Sequence, residues 1–214
     1  MDYQQLIFRS FCFFLLCAVL IVLSYFFLDA RVTTWSLIYP LGIFRLFAYF
    51  SRVVDILNVL SVLAILYALW VKSYRSLMKI ENVFFAASVS FMIGIGFKTL
   101  TKIVFARQSL WYAEHCTWYH HLSPYTFHWL KNEGLYQAFP SGHMTLSTAF
   151  LVVFWIAYPR VRWILMLILL GVAAGLFLNC YHFVSDVIAG AYLGSIVAVF
   201  TAYFFGLMDS QQNS

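Results

Sequence analysis

The stretch Leu6–Leu28, LIFRSFCFFLLCAVLIVLSYFFL, is an almost uninterrupted apolar run. An α-helix needs about 20 apolar residues to cross the hydrocarbon core of a bilayer, and this run is long enough. It is longer than the apolar core of a typical signal peptide, and no clear small-residue cleavage site follows it. We therefore expect it to be retained as a membrane-spanning helix.

The composition extends this conclusion to the whole chain of 214 residues. Hydrophobic residues make up 64% and charged residues 10% of the sequence, and the mean hydropathy is +0.86. Soluble domains are about 45–50% apolar and about 25% charged, and a fold of this size cannot bury so much apolar surface in one core. Disorder requires the opposite composition. The net charge of +5 fits anionic lipid neighbours, and no basic stripe favours nucleic acid.

Five further apolar runs follow the first, separated by polar segments. We therefore expect an all-α fold, in which residues 1–214 form a single membrane domain with six transmembrane helices in one bundle. A mixed aromatic segment at about 29–55 is predicted to lie at the membrane interface, and the polar segment at about 106–140 to form an outer loop. The five further runs are Ile56–Val71, Val83–Phe105, His143–Tyr158, Trp163–Tyr181 and Val184–Met208.

Six helices would place both chain termini on one side of the membrane. Two short basic loops, Lys72–Lys79 and Pro159–Arg162, would share that side, and the positive-inside rule makes it cytoplasmic. The outer loop, the start of the fourth helix and the turn between the fifth and sixth helices would then share the opposite face. A disulfide between Cys116 and Cys180 on that face stays an open alternative.

Ionisable and small polar residues gather at three helix ends on this predicted outer face. Ionisable groups at membrane depth are costly, so they usually mark a functional site. Although long stretches of sequence separate the three positions, the six-helix topology would bring them into one pocket. The residues are Lys98 and Lys102 at the end of the third helix, Ser141, Gly142 and His143 at the start of the fourth, and His182 and Asp186 at the start of the sixth.

Each of these groups suits one task in phosphoryl transfer. A helix that opens with Pro140-Ser141-Gly142 offers free N–H groups and a positive dipole end to an anion. His182 and Asp186 are four residues apart, so they share one helix face, and the carboxylate can fix the tautomer of the imidazole. His143 can act as a general acid. Together they predict transfer through a covalent phosphohistidine without a metal ion.

Two of these segments also match known motifs. Phe139-Pro140-Ser141-Gly142-His143 and His182-Phe-Val-Ser-Asp186-Val-Ile-Ala-Gly190 resemble the second and third signature motifs of the type 2 phosphatidic acid phosphatase superfamily. The resemblance covers about 98–194 and places the catalytic motifs there. It implies an integral-membrane, metal-independent lipid phosphatase with six helices, which we expect in a bacterial inner membrane with the active site facing the periplasm.

The resemblance also implies a role for each motif residue. His182 matches the nucleophile, Asp186 its orienting partner, and His143 the acid that protonates the leaving oxygen. Ser141 and Gly142 match phosphate-binding positions. No cofactor is implied, and the expected partner is a phosphorylated lipid in the membrane.

The chain departs from the family at two arginine positions. Ser109 stands where the first motif has an arginine after its lysine, Lys102, and Leu176 stands where the third motif has another. Arginine forks are well suited to the charge of a phosphoryl group in flight. Arg107 is therefore predicted to bind phosphate in their place, together with Lys102, and Lys98 is a second replacement candidate.

These departures leave other functions open. The same residues would serve a lipid phosphotransferase, and a catalytically silent relative would bind phospholipid without hydrolysing it. A small transporter or channel is disfavoured because the ionisable residues lie at one face and leave no relay through the helices. A metal site is also disfavoured, because its candidate histidines lack a ligand pattern with an acid or cysteine. Those histidines are His115, His120, His121 and His128.

Overall fold

The computed structural model describes residues 3–38, 49, 52–109, 126–179 and 181–208. Within these ranges the fold is helical, and the β pairing there is a single isolated bridge between Arg107 and Phe127. Short 3-10 turns occur at Gly134–Tyr136 and Pro159–Val161. The α-helices are α1 (Tyr3–Phe27), α2 (Asp29–Ile38), α3 (Val53–Lys72), α4 (Lys79–Phe105), α5 (Gly142–Ala157), α6 (Arg162–Leu178) and α7 (Val184–Phe204).

In the part of the chain that the structure describes, five helical segments are long and apolar enough to cross a membrane, which fits an integral membrane protein. They are α1, α3, α4, α7 and the segment Pro159–Leu178, which contains α6. The predicted span His143–Tyr158 forms α5, which has only 16 residues. At 1.5 Å per residue this helix is about 24 Å long, less than the hydrocarbon core of about 30 Å. The predicted count of six spans is therefore not confirmed.

The position of α5 in the fold allows it to be short. It contacts α4, α6 and α7, and 11 of its 16 residues are buried. By contrast, α1 exposes large apolar side chains such as Phe8 and Phe26 and buries only a few residues. A helix enclosed by other helices does not have to match the bilayer thickness, because protein rather than lipid surrounds it.

Two glycines allow α7 to lie directly against α5. A Cβ atom on Gly190 would come within 2.6 Å of the Ser141 carbonyl oxygen. A Cβ atom on Gly194 would overlap with the Thr145 carbonyl oxygen. Small residues at such positions let helix backbones approach closely in membranes. This contact sets the position of the α7 N-terminus relative to that of α5.

The segment predicted to be interfacial begins with helix α2. The chain passes almost directly from α1 into α2. The amide of Val32 donates to the carbonyl of Leu28 across the junction. Asp29 and Thr33 are buried, and α2 contacts α6 and α7. One face of α2, with Asp29 and Thr33, therefore packs on the protein, while Arg31 and Trp35 are exposed. Residues 39–48 lie outside the described ranges, so their interfacial location stays a prediction.

The described parts of the predicted outer loop cross the end of the bundle. Ala106 ends α4 in a left-handed conformation, with φ of 41°. The amide of Ser109 donates to the carbonyl of Leu135, and the amide of Ala138 donates to the carbonyl of Arg107. These bonds hold the chain after α4 against the segment that leads into α5.

Candidate active site

A pocket of about 460 Å³ lies where α4 ends and where α5 and α7 begin. It brings together residues from all three motif regions, which are far apart in the sequence. Its wall contains two lysines and two histidines beside apolar and small polar residues. The lining residues are Val54, Lys98, Lys102, Ser109, Gly134, Gln137, Gly142, His143, Leu146, Tyr181 and His182.

The N-terminus of α5 forms one wall of the pocket. Ser141 is its N-cap, and its hydroxyl oxygen accepts a long bond of 3.5 Å from the amide of Met144. The amide of Ser141 donates to the Asp186 carbonyl oxygen at 3.0 Å, so the starts of α5 and α7 are joined through their backbones. Ser141 itself is fully buried. Of the predicted Ser-Gly phosphate site, Gly142 is therefore the residue that borders the pocket.

Two lysines lie opposite this helix start. Lys98 and Lys102 are one turn apart on α4, and a Cβ atom on Gly142 would lie 3.1 Å from Lys98 Cδ and 3.7 Å from Lys102 Nζ. Lys102 Nζ donates to the Gln137 carbonyl oxygen at 2.5 Å. The two ammonium groups are positively charged, and the helix N-terminus carries a partial positive charge. The three groups repel one another and together attract an anion.

His182 reaches the pocket from the turn before α7. Its amide and that of Tyr181 donate to the carbonyl of Leu176 at 3.1 and 2.9 Å, which holds this turn on the end of α6. His182 Nδ1 is buried and lies 3.5 Å from Asp186 Oδ2. That distance is longer than a good hydrogen bond. Because Nδ1 faces the carboxylate, Nε2 is the ring nitrogen left for a ligand. His143, in the first turn of α5, borders the same pocket.

Arg107 lies elsewhere, behind Asp186, and does not line the pocket. Its side chain is fully buried. Nη1 donates to Asp186 Oδ1 at 2.6 Å and to Ser185 Oγ at 2.7 Å, and Nη2 donates to Asp29 Oδ2 at 2.8 Å. The ring of Phe183 covers the guanidinium with its centroid 4.0 Å from Cζ. Carboxylates therefore occupy the groups with which Arg107 was expected to bind phosphate.

The two positions that lack the family's arginines have different surroundings. Ser109 borders the pocket, so its short side chain leaves space there. Leu176 is fully buried and packs with Met144, Val172 and Val187 in a small apolar cluster. Among the residues that the structure describes, Lys98 and Lys102 are thus the basic side chains, other than histidine, that line the pocket.

Sequence reasoning did not identify Asp29 as part of this region. It lies at the start of α2 and was assigned to the interfacial segment. A signal was present, because an acidic residue directly after a long apolar helix falls under the same rule that singled out the lysines. Its partner could not be named, since Ser185 and Arg107 are far away in the sequence.

The metal and disulfide alternatives concern the predicted outer loop and, for the disulfide, also Cys180. In the described ranges, no group of three or more His, Cys, Asp or Glu side chains could hold a metal ion. His128 is described and lies beside Thr126 and Tyr136. The other candidate ligands and the two cysteines considered for a disulfide lie outside the described residues. They are His115, His120, His121, Cys116 and Cys180.

Comparison with known proteins supplies the family. No curated protein and no solved structure matches the chain significantly. A family model, that of the PAP2 superfamily, matches residues 84–208. This range is more than half of the chain and contains most of α4, all of α5 to α7, and all three regions that meet at the pocket. The chain therefore belongs to the PAP2 superfamily.

Proposed function

We propose that the protein is a metal-independent phosphatase that removes a phosphate from a membrane lipid through a phosphohistidine intermediate. The observation that carries this proposal is the shared pocket of His182, His143, Gly142 and the two lysines of α4. Membership of the PAP2 superfamily supports phosphatase chemistry in general. The residues proposed as nucleophile, acid and anion ligands thus line one cavity at one end of an apolar helical bundle.

The phosphoryl group binds between the N-terminus of α5 and the lysines. Amide N–H groups at a helix start and ammonium groups stabilise the charge on its oxygens without any rearrangement during the reaction. Lys102 is the central ligand, and Lys98 compensates for the arginines that the family has at Ser109 and Leu176. Arg107 does not contact the phosphate and acts on the site through Asp186.

The reaction has two steps. His182 Nε2 attacks phosphorus, a P–N bond forms, and the P–O bond to the lipid breaks while His143 gives a proton to the leaving oxygen. A water molecule then attacks the phosphohistidine and gives a proton to His143, and the P–N bond breaks to release inorganic phosphate. Asp186 holds the Nδ1 side of His182 throughout.

The substrate is a phosphate monoester or diphosphate on a lipid. Two observations support a substrate drawn from the membrane: the pocket lies at the end of helices that fit a bilayer, and Val54 and Leu146 add apolar surface to its wall. We place the pocket on the outer face of a bacterial inner membrane, because the short basic loops between α3 and α4 and between α5 and α6 favour the cytoplasmic side.

Two related functions use the same site. In a phosphotransferase, a second lipid takes the place of water in the second step. In a silent lipid-binding relative, the pocket holds a phosphorylated headgroup but does not cleave it. The second of these is favoured by one observation: lysines, and no arginine, line the described part of the pocket.

Phosphate release by the purified protein tests the proposal. The protein in detergent is given phosphatidic acid, an isoprenyl diphosphate and a lipid A phosphate, each with a metal chelator present. We expect release from at least one lipid, loss of release in His182→Ala, and activity close to wild type in the control His128→Ala. Absence of release from every lipid by folded protein would favour silent binding. Activity that requires an added metal would overturn the mechanism.

A further inference from the structure

Three buried charged side chains form a chain of contacts behind the nucleophile. Asp29, Arg107 and Asp186 each have no exposed side-chain surface. One terminal nitrogen of Arg107 contacts Asp186 and the other contacts Asp29. Asp186 in turn approaches His182 through its other oxygen. Asp29 is thus connected to the proposed nucleophile through two intermediate side chains.

The charges in this cluster do not balance. Two carboxylates share one guanidinium, so neither is neutralised completely by its ion pair. Buried charges need partners, and the planar fork of arginine can serve two carboxylates at once. Because Asp29 takes part of the guanidinium's charge, Asp186 keeps more negative charge for the imidazole than it would in an exclusive pair with Arg107.

Asp29 also holds the first turn of α7. Its Oδ1 accepts the amide N–H of Ser185 at 2.9 Å, and its Oδ2 accepts the Ser185 hydroxyl at 2.5 Å. The first N–H groups of a helix have no partner within the helix, so a carboxylate there is stabilising. Here the carboxylate comes from α2, and Ser185 is directly next to Asp186. Asp29 therefore contacts both the guanidinium that binds Asp186 and the backbone beside it.

From these contacts we infer that Asp29 is a positioning residue of the active site, which acts on His182 through Arg107 and Asp186. The inference rests on the proposed function. It also assigns a part of the catalytic arrangement to the N-terminal region, because Asp29 lies outside residues 84–208, the range that matches the family. Asp29 itself does not line the pocket, so it affects the reaction step rather than substrate binding.

A double-mutant cycle on kcat tests this coupling. Residues that orient metal-bound histidines from the outer shell offer a comparison, because their mutation lowers metal affinity or activity about 10- to 100-fold. For Asp29→Asn we expect kcat to fall roughly tenfold, with KM nearly unchanged. In an Asp186→Asn background, Asp29→Asn should have almost no further effect, because the route to His182 is already cut. The matched control is Glu81→Gln, which removes a carboxylate from its ion pair with Arg75 at the other end of α4 and should keep wild-type kcat.

A wild-type kcat in Asp29→Asn, or an equal loss in both backgrounds, would overturn the inference, since a purely structural role gives additive effects. Ser185→Ala is the milder second variant in case Asp29→Asn does not fold. It removes the hydroxyl that contacts both Asp29 and Arg107. It should lower kcat by a smaller factor, again with no effect in the Asp186→Asn background.

Chemical modification of His182 gives a reading that does not depend on activity. Diethyl pyrocarbonate acylates neutral imidazole nitrogens, and mass spectrometry measures its rate at each histidine at pH 8, with His128 as reference in the same sample. Asp29→Asn should slow modification of His182 at least about twofold, because a less basic imidazole is a weaker nucleophile. A loosened structure would expose His182, whose side chain is 11% exposed, and speed modification. An unchanged or faster rate would contradict the inference. If wild-type protein releases no phosphate from any lipid, the proposed function fails, and this rate still decides whether Asp29 acts on His182.

Discussion

Replacement of Arg107 by methionine distinguishes a buried structural cation from a phosphate ligand. The variant keeps an unbranched side chain of similar length but removes the charge. It leaves the carboxylates of Asp29 and Asp186 buried with no cation between them. Removal of one partner from a buried ion pair costs about 3–5 kcal/mol. Because Arg107 pairs with two fully buried carboxylates, we expect the upper part of that range.

Such a loss is large beside the total stability of a typical protein, about 5–15 kcal/mol. The loss of stability is measured by unfolding the purified protein in mixed micelles with increasing amounts of denaturing detergent. A second variant adds Asp29→Asn and Asp186→Asn to Arg107→Met. It should recover most of the stability, since no unpaired charge then remains in the cluster.

The alternative role gives the opposite pattern. A phosphate ligand on the pocket wall would change stability by no more than about 0.5 kcal/mol when replaced, and would raise KM instead. A stable Arg107→Met protein with raised KM and normal kcat would therefore refute the placement of Arg107 behind Asp186. Restored stability in Arg107→Met on addition of inorganic phosphate would refute it as well.

Three further outcomes are expected. Gly194→Ala should destabilise the protein by about 1–3 kcal/mol through overpacking of α7 on α5. The control Gly96→Ala should unfold like wild type in the same assay, because the space around its Cβ position is open. Lys102→Met should raise KM about 10- to 100-fold, as expected for loss of a charged hydrogen bond, and an unchanged KM would exclude Lys102 as a phosphate ligand. His143→Asn should lower kcat for a lipid phosphate by about 10²–10⁴-fold. The effect on kcat should be much smaller for an aryl phosphate, because its leaving oxygen needs no proton. Equal losses of kcat on both substrates would exclude His143 as the acid.

The helices of the membrane fold could be predicted because their signal is local. Runs such as Leu6–Leu28 and Val184–Met208 are apolar over their full length, and the structure contains a helix in each, α1 and α7. The span count was less predictable. The sequence of α5 is as apolar as that of a lipid-facing helix, and burial by α4, α6 and α7, rather than composition, explains why it can be short.

The pocket was partly predictable for a topological reason. Helix ends on one membrane face come together, so Lys102, Gly142 and His182 were expected in one place, and the structure puts all three in the pocket lining. Their catalytic roles stay predictions. The sequence contained no corresponding signal for the direction in which the Arg107 side chain points. Arg107 follows a left-handed turn at Ala106, a conformation that glycine adopts easily and alanine rarely does.

By itself, therefore, the sequence determined the membrane environment, the helical segments and the motif residues, because hydropathy and residue spacing act over a few turns of helix. Only the tertiary structure decided which charges pair. Asp29 meets Ser185 across 156 residues, and Arg107 is enclosed between Asp29 and Asp186 instead of facing the pocket. A buried guanidinium is stable only where carboxylates surround it, and the packing of α2 against α7 brings those carboxylates together.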